Sequence, residues 1–201
     1  MSSASSHDAA SSAERTLVVL CADWPAVATA RPSKKPLVVV HANRVISMSQ
    51  GARRQGIAHG FTVREAQAHS PAVEVVQCDQ QRDARAFELV LAAIEEFVPR
   101  VEVLEPGQCA FPTLGPSGYH GGDRALAQLV LTRVQTAVLQ TALGPACGVS
   151  VGVGVADGPQ AAQIAAKESI LQSDLLGSEV SQPVVVQTGK TAEFLSPLPI
   201  E

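Results

Sequence analysis

Val101 to Gly115 reads VEVLEPGQCAFPTLG, two apolar runs broken by Pro106-Gly107. A Pro-Gly pair between strand-forming runs is a hairpin signal, so Val101–Glu105 and Cys109–Thr113 are predicted as paired strands. A long amphipathic helix is predicted on either side. Upstream, Asp79 opens a segment carrying Phe87, Val90, Leu91, Ile94, Phe97 and Val98 at helical spacing, stopped by Pro99. Downstream, GPSGYHGG reads as a loop leading into a second helix, ended by Gly144-Pro145. Its apolar stripe is Leu126, Leu129, Val130, Val134, Ala137 and Val138. Cys147 to Val155 then alternates, with Val149, Val151, Val153 and Val155 on one face and Ser150, Gly152 and Gly154 on the other. Near the start, Arg15–Cys21 (RTLVVLC) is a short β-branched run and reads as a buried strand. With residues 30 to 77 set aside, the order is strand, helix, hairpin, helix, strand. That is the α+β, ferredoxin-like βαββαβ unit.

The remaining segments are smaller. Asp23-Trp24-Pro25 looks like a helix start, with Asp23 as N-cap and Pro25 in the first turn. Inside the insertion, Leu37–His41 reads as a strand and Ser49–Gln55 as a small polar helix ended by Gly56. Thr62 starts another helix, stopped by Ser70-Pro71, and Val73–Val76 is a brief strand. A helix over 158–172, a strand over 183–187 and a short helix near Ala192 close the order. Residues 1–14 are Ser/Ala-rich and read as a disordered tail.

Composition excludes several classes. Of 201 residues, 46 % are apolar and 17 % charged, with mean hydropathy +0.15, which is incompatible with disorder along the whole chain. No run approaches the ~18 apolar residues of a membrane span. The N-terminus has neither the basic start nor the apolar run of a secretory signal. Cys21, Cys78, Cys109 and Cys147 are far apart, which argues against a disulfide framework or zinc knuckle and for a reducing cytoplasm. At 3 %, aromatic residues are too few for a stacked-base platform. Net charge is −4, yet Arg31, Lys34, Lys35, Arg44, Arg53, Arg54 and Arg64 fall in a stretch without one acid. That stretch could face phosphates while the whole chain stays acidic; the plainer alternative is a solvated surface.

Three short motifs are better explained by structure than by chemistry. Gly148-Val-Ser150-Val-Gly152 matches a nucleophile elbow, but no histidine follows His120 to activate the serine. Gly121-Gly122-Asp123 runs straight into a helix, so Asp123 reads as its N-cap rather than a metal ligand. Gly152, Gly154 and Gly158 lack both dinucleotide spacing and a following Lys-Ser/Thr pair. The five histidines share no metal spacing, and Cys21 and Cys109 read as small buried residues on neighbouring strands.

The order of elements, together with several phrases, resembles the Y-family translesion DNA polymerases. SQGARRQGI (Ser49–Ile57) is similar to the fingers motif, VEVLEPGQCAFPTLG to the palm hairpin, and GVSVGVGVADGPQAAQIAAKES to the late strand and helix. FLSPLPIE resembles the start of the thumb. The resemblance implies 15–30 as first palm strand and helix, 31–77 as inserted fingers, 78–175 as palm and 176–201 as the start of the thumb. It places Arg53 on the triphosphate-binding arginine and Gln50 on a tyrosine that shares that task. Arg54, Arg44, Lys34 and Lys35 complete an expected phosphate- and DNA-facing surface.

Such polymerases hold two Mg²⁺ ions with an aspartate on the first strand and an Asp-Glu pair at the hairpin. Here those positions are Cys21, Gly107 and Gln108, which offer no carboxylate for a hard cation. Ile170 replaces a lysine, and the aromatic sugar gate falls near Ala26. This combination resembles the ImuB-type, catalytically inactive members of the family, with CADWP and FLSPLPI as further likenesses. The resemblance implies a non-catalytic accessory of damage-induced mutagenesis that needs no cofactor, here as an N-terminal fragment. Implied partners are weakly held DNA and, mostly through other regions, the sliding clamp, an ImuA-type protein and an error-prone C-family polymerase. The alternative is an active, divergent polymerase that uses Mg²⁺, with Asp23 or Glu105 rescuing the metal site.

Overall fold

The computed structural model describes residues 14–98, 100–140, 145–176 and 181–196. The expected tail (apart from Glu14), Pro99, Gly144 and the last residues of FLSPLPIE lie outside them. Strand β1 (Arg15–Cys21) leads into a single helical turn, α1 (Trp24–Val27). A separate small unit follows: β2 (Leu37–His41), β3 (Arg44–Met48), α2 (Gln50–Arg54), α3 (Val63–His69) and β4 (Glu74–Gln77). The chain then forms α4 (Gln80–Glu95), the hairpin β5 (Glu102–Glu105) and β6 (Gln108–Pro112), α5 (Pro116–His120) and α6 (Asp123–Gln140). It ends with β7 (Val151–Asp157), α7 (Pro159–Leu176), β8 (Val184–Val185) and α8 (Thr191–Leu195).

The larger sheet runs β5-β6-β1-β7-β8, with β1 antiparallel to both neighbours and β8 parallel to β7. Its first four strands have the order expected of a βαββαβ unit. The strand near 184 joins this same sheet, so the sheet extends beyond residue 175. One face carries Leu17, Val19, Cys21, Cys109, Phe111, Val151, Val153 and Val155 against α4 and α6. Burying each large side chain in that layer is worth about 1.5–3 kcal/mol. The other face presents Val18, Ala110, Gly152 and Gly154 to the alanines of α7. A Cβ at Gly154 would lie 2.2 Å from the Ala162 carbonyl oxygen, so helix and strand meet where no side chain fits.

The small unit has its own sheet, β3-β2-β4, and its own core of Val38, Val40, Val45, Met48, Ala52, Ile57 and Ala66. Its helix starts are set by the residues read from sequence. Ser49 accepts from the Ala52 N–H, and Thr62 and Glu65 form a reciprocal capping box. Asp79 caps α4 in the same way, through the Arg82 N–H.

Several local expectations are corrected. Segment 44–48, to which the sequence reading assigns no element, is a strand, turned back onto β2 by Ala42 and Asn43 in left-handed conformations. GPSGYHGG contains the helical turn α5. On α6 the buried stripe includes Ala127 and Leu131, while Leu129 and Ala137 are only half-buried. Asp123 is the first residue of α6 rather than its cap, and its carboxylate binds Arg15 at 2.6 Å and the Ser117 hydroxyl. Asp23 occupies the cap position of α1 but makes no side-chain capping bond. Its carboxylate is used elsewhere.

Candidate functional site

The end of β1 and the β5–β6 turn meet through a hydrogen bond from the Cys21 N–H to the Gly107 carbonyl, 2.8 Å. The positions singled out in sequence, Cys21, Gly107 and Gln108, are therefore neighbours. Their side-chain directions differ. Cys21 points into the layer under α4 and α6, near Cys109. Burial, reinforced by Cys109, pushes its thiol far above the ordinary range, and burial pushes Cys109 up to about 12. Gly107 sits at φ +100°, and a Cβ there would lie 2.4 Å from the Trp24 Cβ. Trp24 is fixed by a 2.9 Å bond from its Nε1 to the Asp83 carbonyl and by an edge contact with Phe87. Gln108, paired with Leu20 in register, faces the opposite side of the sheet, where its Oε1 accepts from Gln163 Nε2 at 3.2 Å. Glu105 is exposed on the edge strand. Among the described residues, no three His, Cys, Asp or Glu side chains gather where they could hold a metal ion.

Asp23 links the two units. Its carboxylate accepts from the Met48 N–H at 2.9 Å and pairs with Arg53 of α2, while His59 Nε2 lies at 3.4 Å. Burial, the largest influence, opposes ionisation of Asp23. The hydrogen bonds from His59 and Met48 and the charge of Arg53 outweigh it and hold the carboxyl below its usual range. The hydrogen bond to Asp23 in turn raises the His59 imidazole. Ala26 is buried beside this joint, and its N–H donates to Ser47 Oγ at 3.0 Å.

The five expected phosphate-facing residues are not equivalent. Arg53 is engaged by Asp23, with Asp174 of α7 at 3.9 Å from its other amino group. Arg54 is exposed at the end of α2, and Lys34 and Lys35 are exposed beside Gly51, whose α-carbon faces the Lys34 carbonyl. Arg44 Nη1 donates to the Gly60 carbonyl at 2.8 Å. Ile170 is buried against Gly152. Asp23 as an ion-pair partner, with His59, Asp174 and Gln163, was not foreseen from sequence. Partners so far apart in the chain leave no spacing to read.

Residues 25–167, more than half of the chain, match the family described as impB/mucB/samB. The chain belongs to that family. Among solved structures it is similar to the insertion ternary complex of Dbh DNA polymerase (TM-score 0.68, 18 % identity, 92 % of this chain and 52 % of that one). It is also similar to DinB from Sulfolobus solfataricus (TM-score 0.64, 18 % identity, 90 % and 50 %). At such identities the likeness establishes the fold, that of a Y-family polymerase palm with fingers. The chain spans about half the length of these proteins. No curated protein matches it in sequence. No helix among the described residues is long and apolar enough to cross a membrane.

Proposed function

We propose that this chain is a polymerase-like, non-catalytic accessory of translesion DNA synthesis, of the ImuB type, acting as a binding or scaffold module. The carrying observation is the chemistry at the three positions where its polymerase relatives are expected to place acids. Cys21 is a buried thiol held protonated, Gly107 has no side chain and no room for one, and Gln108 turns its amide to the far face of the sheet. Mg²⁺ requires anionic oxygens gathered on one side, and this donor set does not fit it. Of the two acids that stand two residues from these positions, Asp23 is taken by Arg53, His59 and the Met48 N–H, and Glu105 is exposed on the edge strand.

DNA is the proposed ligand, held weakly through Lys34, Lys35, Arg44 and Arg54, since the Dbh relatives are solved as ternary and binary complexes. The sliding clamp, an ImuA-type protein and a C-family polymerase are the further partners this reading assigns. Two measurements on the purified chain test the catalytic part. Mn²⁺ titration followed by electron paramagnetic resonance should find no saturable site, and primer extension with Mg²⁺ or Mn²⁺ should give no incorporation. A Mn²⁺ site, or template-dependent incorporation, that Asp23→Ala abolishes would establish the active-polymerase alternative.

A further inference from the structure

Strand β5 is an outer strand of the larger sheet, and all of its residues are exposed. Among the described residues β6 is its only strand partner, and no hydrogen bond outside that ladder reaches it. A row of backbone N–H and C=O groups is thus open along one side. The register is irregular. Glu102 stands opposite Ala110 and Glu105 opposite Gln108, so Leu104 is an extra residue in the strand. Directly opposed residues share a face of the sheet. Ala110 and Gln108 both face α7, so the extra residue brings Glu102 and Glu105 onto that one face. Regular alternation would have put them on opposite faces. Val103, opposite Cys109, lies on the other face. Neither carboxylate is engaged by a cation among the described residues.

Shortness, bulges and charges also shield sheet edges from unwanted pairing. A shield has no use for apolar side chains in solvent, however, and Val103 and Leu104 are 48 % and 43 % exposed. We propose that β5 is a docking edge that takes an extended, basic segment of a partner protein as an added strand. An apolar residue of that segment lies against Val103, and its Lys or Arg side chains lie against Glu102 and Glu105. Strand addition supplies the backbone bonds, and alternate side chains supply the selectivity. The charge of the edge disfavours other occupants. A second copy paired antiparallel about Val103 and Leu104 would set Glu102 of one chain against Glu105 of the other, and opposed like charges destabilise such a pair. Nucleic acid would bring its phosphates against the same two carboxylates.

The probe is a fluorescently labelled peptide, Thr-Lys-Val-Lys-Val-Thr, titrated with the whole chain and followed by anisotropy. It should bind saturably below about 1 mM, with amide shifts in nitrogen–proton spectra centred on Glu102–Glu105. Glu102→Lys combined with Glu105→Lys should weaken binding about tenfold; both residues are exposed, and a cooperative melt checks that the fold is kept. The same peptide methylated on every backbone nitrogen keeps its charge but cannot pair as a strand, and should also lose about tenfold. The proposal is overturned by the absence of saturable binding, by shifts centred elsewhere, or by a loss below about threefold in either arm. It is equally overturned if the unaltered chain sediments as a dimer that Leu104→Lys dissociates, since a second copy would then occupy the edge. None of these readouts involves a metal ion or primer extension, so this proposal and the non-catalytic reading fail separately.

Discussion

Gly107 and Trp24 form one joint between the hairpin turn and the first helical turn: a Cβ on residue 107 would stand 2.4 Å from the Trp24 Cβ and 3.0 Å from its Cγ. The atoms met first lie at the root of the tryptophan side chain, which cannot swing away. The backbone at 107 also sits at φ +100°, where L-residues are strained. Gly107→Asp, which would place an acid at this position, is therefore expected to cost about 2–5 kcal/mol, from backbone strain plus overpacking. Urea denaturation followed by Trp24 fluorescence measures it. A variant as stable as the parent would mean that the turn can be rebuilt cheaply.

Gln108→Glu tests the neighbouring position. Gln108 is 2 % exposed and faces the neutral amide of Gln163, so a carboxylate there would be desolvated. Its folded pKa should rise above the unfolded value of about 4.3. The folded state would then bind more protons, and stability should fall as pH rises above that value. The expected loss is about 1–3 kcal/mol near neutral pH, shrinking toward about pH 5. Equal loss at both pH values would exclude a buried charge as the cause.

The two long helices, the hairpin and the capped starts at Ser49, Thr62 and Asp79 could be read from the chain because each is set by contacts within a few residues. Strand β3 could not, since ISM offers little alternation and the signal lay in its turn, at Ala42 and Asn43. The adjacency of Cys21 and Gly107 followed from the family likeness in order and spacing. Their differing directions required the register that sets Leu20 opposite Gln108. The Asp23 joint escaped entirely. An aspartate before Trp-Pro looks like a helix cap, and only tertiary structure brings Met48, Arg53 and His59 to it.

Gly154→Ala probes the contact between α7 and β7. The added methyl would meet the Ala162 carbonyl oxygen at 2.2 Å and the Ala166 nitrogen at 2.3 Å, both backbone atoms within a helix. The helix must shift as a body, so a loss of about 2–4 kcal/mol is expected in chemical denaturation. Gly118→Ala is the control, because a Cβ there meets nothing within 4 Å. It should change stability by less than about 0.5 kcal/mol.

The Asp23–His59 contact predicts a pH window. Asp23 has a depressed carboxyl, so its contribution is present above the unfolded value of about 3.9 and is lost as pH falls through the lower folded value. His59 is raised, so its contribution is complete below about pH 6.5 and is lost as pH rises through the higher folded value. The two limbs leave the joint at full strength between about pH 4 and 6.5. His59→Gln should remove only the upper limb. The His59 side chain is 58 % exposed and solvent screens the pair, so the effect should stay under about 1 kcal/mol. Urea midpoints of both proteins should differ near pH 5.5 and converge by about pH 8.5. A gap that stays constant across that range would show that His59 acts through packing, and that Arg53 and the Met48 N–H alone hold Asp23.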